Sequence, residues 1–291
     1  MGTQLNGGVW MAVAKFALNL LLKLVGITFF VYVVLYVTPG GNLDEMQRSK
    51  TVKERSIGKL TNGYLNWVVN AVRGKMGNCE GTPVVERLGR HIPRTLLLVG
   101  GSLILSLFLA LGMTVISLKA NNLLTKNLIS LLNLISGLHI IVLSFVMIIM
   151  GWVVPNTGFS PWLLVILALG NGTLVDYYSV VRTQISQALH QDYAVAAMSR
   201  GASQLRHATM YEIILGLVEA TNSRIPALIG GTIIVEWVFS YLGLGYDIIK
   251  AIQLRNTDLI MGVTGAVAIL LTFLGEVTDT VRNRLDPKLN R

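Results

Sequence analysis

The chain is 291 residues long, 53% hydrophobic and 13% charged, with a mean hydropathy of +0.61. A soluble domain carries about 25% charged residues, so an ordinary soluble fold is excluded; apolar runs of about 20 residues recur along the chain and indicate one polytopic membrane bundle. The net charge of +9 reads as Lys and Arg anchoring a cytoplasmic membrane face, with no nucleic acid as partner, and the single cysteine, Cys79, excludes an internal disulfide and any cysteine-cluster metal site.

In chain order the expected spans are Phe16 to Thr38, Pro93 to Leu118, Leu128 to Val153, Pro161 to Val181, Arg224 to Tyr241 and Leu259 to Val281. Each is close to the length a helix needs to cross the hydrocarbon core. The first is too long for a signal-peptide core and no small-residue cleavage pattern follows it, so it is expected to stay as a membrane helix. The fifth is interrupted by Arg224, Pro226 and Glu236, and Met210 to Val218 before it is a shorter apolar piece, too brief to cross alone. Lys119 and Lys126, then Arg182, Arg200, Arg206 and Arg224, then Arg282, Arg284, Lys288 and Arg291 lie on alternate connections, which places those segments and both termini on the cytoplasmic side. The expected organisation is an inner N-terminus and first span over residues 1–38, an extracytoplasmic insertion over 39–92, and a five-helix core over 93–291 with a cytoplasmic loop at about 182–222. The 39–92 insertion carries charges of both signs; it is either a docking and gating element or a solvated cap. No fixed-period repeat or low-complexity tract is present.

The chemistry is as informative for what it lacks. No G-x-x-x-x-G-K-[ST] loop is present to cradle nucleotide phosphates, so if ATP drives this protein, another chain hydrolyses it. His91, His139, His190 and His207 are dispersed, without the paired spacing that gathers metal ligands on one helix face. His139 in the third apolar run and Glu236 in the fifth are the exceptions, because an ionisable group at membrane depth is costly. Each either lines a polar pathway or makes an interhelical hydrogen bond. Gly265, Gly230 and Gly231 read as close helix packing.

The polar stretch from Arg182 to Asn222 carries the strongest functional signal. Residues from Ile185 to Ser199 favour a helix, with Leu189, Tyr193, Ala196 and Ala197 near one face, and Gly201 ends it or turns the chain. On physical grounds this helix either packs on the bundle at the inner surface or docks into a soluble partner.

Asp192, Tyr193, Ala196, Ala197, Arg200 and Gly201 form a string similar to the D-Y-V-x-x-A-x-x-K-G loop of ABC-transporter permeases, within them the dipeptide, oligopeptide and nickel importer class. Arg182 and Leu189 upstream match that family's R-x-x-x-x-x-x-L segment, and His207 and Pro226 follow in register. The resemblance extends along the chain: Pro39 to Asn42 resembles P-G-D, Arg73 to Asn78 resembles G-D-L-G-x-S, and Ile92 to Leu96 resembles I-P-x-T-L. Glu236 to Gly245 resembles E-x-x-F-x-x-P-G-L-G, with Arg255 to Asp258, Met261 and Gly262 after it, and Asp286 to Lys288 resembles the closing D-P-R. Arg200 replaces the usual Lys, Leu242 the usual Pro, Lys75 the outer Asp and Asn78 the usual Ser.

The resemblance implies an all-α polytopic membrane protein with six transmembrane helices of the type I ABC importer kind and a cytoplasmic coupling helix. It implies a translocation subunit, not an enzyme, working with a homologous second permease, two cytoplasmic ATPase subunits that carry the ATP and Mg, and an extracytoplasmic substrate-binding protein. Leu189, Asp192, Tyr193, Ala196, Ala197, Arg200 and Gly201 are then the ATPase-coupling residues. Peptide is the expected cargo, nickel or a metallophore the alternative. An ion-coupled secondary transporter using His139 and Glu236, or an assembly subunit that moves nothing, are the readings from other classes.

Overall fold

The computed structural model describes residues 3–37, 57–119, 123–155, 158–189 and 203–285. Among these the chain is helical apart from one short antiparallel hairpin, in which Asn78 pairs with Pro83 and Cys79 with Thr82. Four helices are long and apolar enough to cross a membrane, over Ala17–Val37, Val84–Ser117, Ile213–Val238 and Thr257–Leu285. Two bent pairs, Ile129–Ser136 with Ile140–Ile149 and Pro161–Leu169 with Thr173–Ile185, bring the count to six where each pair is taken as one span. Phe30, Phe108 and Ile149 are well exposed on them, as lipid-facing positions must be when hydrocarbon is the solvent.

The residues divide into two compact units, Met1–Arg94 with Leu242–Phe273, and Thr95–Tyr241 with Leu274–Arg291. The first contains helix α1 (Thr3–Val37), helix α2 (Ile57–Val72), the hairpin strands β1 (Asn78–Cys79) and β2 (Thr82–Pro83), and the beginning of helix α3 (Val84–Lys119). Its core is aromatic: Tyr32, Tyr36 and Tyr64 bury against Met261. The Tyr64 hydroxyl shares a 2.8 Å hydrogen bond with Thr28, whose own hydroxyl sits 2.7 Å from the Leu24 carbonyl. That gives a buried phenol the polar partner it requires. Gly63 packs closely here: a Cβ would run into the Tyr32 hydroxyl, which would have to shift.

The second unit holds the rest of α3 and helices α4 (Leu123–Ser136), α5 (Ile140–Ile149), α6 (Pro161–Leu169) and α7 (Thr173–Leu189), with a 3-10 turn at Gly170–Gly172 between the last two. Helix α8 (Ser203–Val238) follows. Leu98, Ile140, Leu143, Leu163, Ile166, Leu167, Val235 and Phe239 form one continuous core, and Ala110, Met113, Leu174, Tyr177 and Tyr178 a second. Helix α9 (Leu244–Gln253) returns to the first unit, and helix α10 (Thr257–Leu285) ends the described chain with Arg282 and Arg284 in its last turn, where cations favour the helix dipole.

Three expectations need revision. Helix α8 runs unbroken from Ser203 through Pro226 to Val238, so the apolar piece Met210 to Val218 belongs to the fifth span. The third span bends by 107° between Ser136 and Ile140, and the fourth by 58° around the 3-10 turn. Hydropathy stays high across both breaks, which is why they escape a window average, whereas backbone geometry follows Gly137 and the pair Gly170 and Gly172. Helix α3 begins at Val84, well before Pro93, and carries that proline inside it.

Candidate functional site

Of the expected coupling residues, Leu189 closes α7, whereas Asp192, Tyr193, Ala196, Ala197, Arg200 and Gly201 lie outside the described residues. Their frame is described. Helices α7 and α8, which lead into and out of the 190–202 segment, pack together more extensively than any other pair of elements among the described residues. The Tyr177 and Thr221 hydroxyls meet at 2.7 Å, Arg224 pairs with Asp176, and Gly216 lets the helices close up, since a Cβ there would lie 3.0 Å from Val180 Cγ1. Arg182 stays on α7 and donates from Nη1 to the Tyr178 hydroxyl at 3.2 Å.

The two ionisable residues picked out at membrane depth sit in different surroundings. Glu236 is fully buried and accepts a 2.7 Å hydrogen bond from the Thr95 hydroxyl, which supplies the polar partner that burial demands. His139 is the N-cap of α5, exposed, its Nδ1 accepting from the Ile141 amide at 3.4 Å. It therefore marks the break in the third span. Among the described residues no bond joins it to Glu236.

The two breaks pack on each other. Ser136, at the end of α4, donates to the Leu169 carbonyl at the end of α6 at 2.8 Å, and a Cβ on Gly170 would lie 3.0 Å from Ile140 Cγ1. Freed backbone groups at membrane depth are tolerated only where protein or a cavity satisfies them, and here each broken span covers the other. Asn133 Oδ1 and Thr173 Oγ1 beside the breaks are buried without a hydrogen-bond partner.

A charged cluster in the first unit was not legible in the sequence. In the first unit Asp247 of α9 is completely buried. Arg87 Nε donates to its Oδ1 at 2.7 Å and His91 Nδ1 lies 2.5 Å from its Oδ2. Both carboxylate oxygens are thus bound, the condition for burying such a charge. Arg87 also reaches Glu80 at 3.5 Å, and Lys250, one turn after Asp247, meets the same Glu80 oxygen at 2.6 Å. The Lys250 ammonium holds the Glu80 carboxyl below the usual glutamate range. Beside it, burial pushes the Cys79 thiol up, away from the reactive thiolate. The hairpin is further fixed by a hydrogen bond from Asn256 Nδ2 to the Asn78 carbonyl at 3.1 Å, while Asn256 Oδ1 caps α10 by accepting from the Leu259 amide. Gly77, at φ +82°, abuts Asp258, leaving no room for a side chain. The available signal was Arg87 and His91 four apart on one helix face, with Asp247 and Lys250 three apart on another. Among the described residues no three His, Cys, Asp or Glu side chains are grouped to hold a metal.

Residues 102–291 match the family described as binding-protein-dependent transport system inner membrane component. Relatives extend the likeness over nearly the whole chain. The oligopeptide transport system permease protein AppB of Bacillus subtilis (strain 168) is 26% identical over 300 residues, covering 91% of this chain and 95% of that protein. The nickel import system permease protein NikB of Staphylococcus aureus (strain bovine RF122 / ET3-1) is 22% identical over 306 residues, covering 96% and 92%. A membrane permease of such a system works with an ATPase and a substrate-binding protein. With six apolar spans and a family match that includes the 190–202 segment and the α7 and α8 helices around it, this chain belongs to the binding-protein-dependent inner membrane components, as the permease subunit of an ABC importer of the dipeptide, oligopeptide and nickel class.

Proposed function

We propose that this permease forms half of a translocation path for short peptides, paired with a homologous second permease, and that its 190–202 segment transmits the closure of two ATPase subunits to the spans. The observation that carries this is the α7 and α8 pair, locked by Tyr177, Thr221, Arg224 and Asp176 on either side of that segment. A push on the segment is delivered to two spans as one body. Within the segment, Ala196 and Ala197 permit close approach, Gly201 a turn that a β-carbon obstructs, and Asp192 and Arg200 set register by charged hydrogen bonds. Leu189 and Tyr193 present the larger apolar contacts, and ATP and Mg bind in the partner subunits. Both termini face the cytoplasm, residues 39–92 face outward toward the binding protein, and the core runs over 93–291. Glu236 and His139 stand near the path, Glu236 as the fixed, hydrogen-bonded member.

The peptide reading leans on the likeness to the oligopeptide permease; the likeness to NikB keeps nickel as the second reading. Replacing Gly201 with Trp or Ala197 with Pro is expected to leave the complex assembled while ATP hydrolysis no longer drives uptake. Labelled peptide and labelled nickel uptake measured with ATPase rate in proteoliposomes checks both points. Unchanged uptake in the variants removes the coupling assignment, and nickel uptake without peptide uptake reverses the cargo.

A further inference from the structure

A cavity of about 410 Å³ opens between α8 and the end of α10, lined by Glu219, Asn222 and Ser223 from the first helix and Thr278, Asp279 and Arg282 from the second. The lining follows helical spacing, four residues apart on each side, so one face of each helix contributes. Its polarity is unusual for a membrane-embedded helix pair, because ligand cavities are mostly apolar with few polar groups.

The internal bonds leave unused capacity of both signs. Arg282 Nη2 pairs with Glu219 Oε1 at 2.9 Å and Asn222 Nδ2 donates to Asp279 Oδ1 at 3.0 Å, so each bond takes one carboxylate oxygen and leaves the other. Arg282 Nε makes no hydrogen bond, although two-fifths of the side chain is exposed. The Ser223 and Thr278 hydroxyls donate to the carbonyls of Ala220 and Gly275, which leaves their oxygens as acceptors only. Two carboxylates against one guanidinium give the lining a formal charge of one negative. The complementary ligand carries an ammonium group, a carboxylate and N–H donors between them.

We infer that this cavity binds a short peptide as its zwitterion, with the carboxylate on Arg282, the ammonium on Asp279, and peptide N–H groups on Ser223 and Thr278. The inference rests on the peptide reading above. A ligand carboxylate that draws the guanidinium inward supplies the acceptor Nε lacks. The cavity runs from the middle of α8 to the last turns of α10, the end of α10 that faces the cytoplasm under the proposed topology, so the peptide it meets is cargo already carried across.

The test uses the permease pair with its ATPases, without binding protein, in phosphatidylcholine nanodiscs, and measures labelled trialanine by equilibrium dialysis. Saturable binding is expected, weakened about tenfold or more by Arg282→Gln and by Asp279→Asn, the size of one lost charged hydrogen bond. In the unmodified protein, where folding is not in question, N-acetyl-trialanine amide is expected not to compete. No saturable binding, equal binding by both variants, or full competition by the blocked peptide each overturns the site. Loss of trialanine binding on adding phosphatidylethanolamine also overturns it, assigning the cavity to a lipid headgroup. ATP-driven trialanine uptake by the complete transporter is measured in parallel. Uptake without binding removes the site and leaves the peptide reading standing, whereas binding without uptake supports the site and removes peptide as cargo.

Discussion

Asp247 shows how much one buried carboxylate can organise. Its oxygens hold Arg87 and His91 of α3, and through Arg87 and Lys250 the Glu80 hairpin is tied to α9. Removing one partner of a buried ion pair leaves the other uncompensated, at a cost of about 3–5 kcal/mol. Asp247→Ala is therefore expected to lower the thermal midpoint of the purified complex sharply. Asp247→Asn, which keeps one acceptor for Arg87 Nε, is expected to lower it less. A midpoint unchanged in Asp247→Ala would show that the cluster contributes no net stability. The sequence hid this site because Arg87 and Asp247 stand 160 positions apart, and each alone reads as an ordinary surface charge. Glu236 was visible for the opposite reason: an acid inside an apolar run needs an explanation, and its partner Thr95, in another span, could come only from the fold.

The helices divide into those that composition describes well and those that it does not. Uninterrupted spans such as α1 and α10 were legible because length and hydropathy define them. The bends at Gly137 and at Gly170 to Gly172 were not, because glycine changes direction without lowering hydropathy. Nor was the union of Met210 to Val218 with the fifth span, since Arg224 and Pro226 look like a boundary until Asp176 pairs with the arginine. The α7 and α8 interface is tight enough to test. A side chain at Gly216 meets Val180 Cγ1 at 3.0 Å and Gln184 Nε2 at 3.2 Å, and overpacking a close contact costs about 1–3 kcal/mol. Gly216→Leu is expected to lower the thermal midpoint and, by splaying the pair, to reduce uptake per ATP hydrolysed; a variant with wild-type values of both would show that close approach is not used.

Taken as one membrane protein, the chain follows a few bulk rules: apolar spans of sufficient length, exposed apolar side chains along them, and Lys and Arg on the short connections after the second and fourth spans and in the C-terminal tail. Those rules predict that a green fluorescent protein fused after Arg291 fluoresces, while alkaline phosphatase at the same place is inactive. The reverse pattern would invert the topology and move the α8 and α10 cavity to the outer face. One further consequence comes from the two bends. The Ser136 hydroxyl donates to the Leu169 carbonyl, and at membrane depth a polar group needs such a partner. Straightening either span strands the other's polar group in hydrocarbon. The third and fourth spans therefore share a single crease, and a motion that opens one breaks a bond of the other.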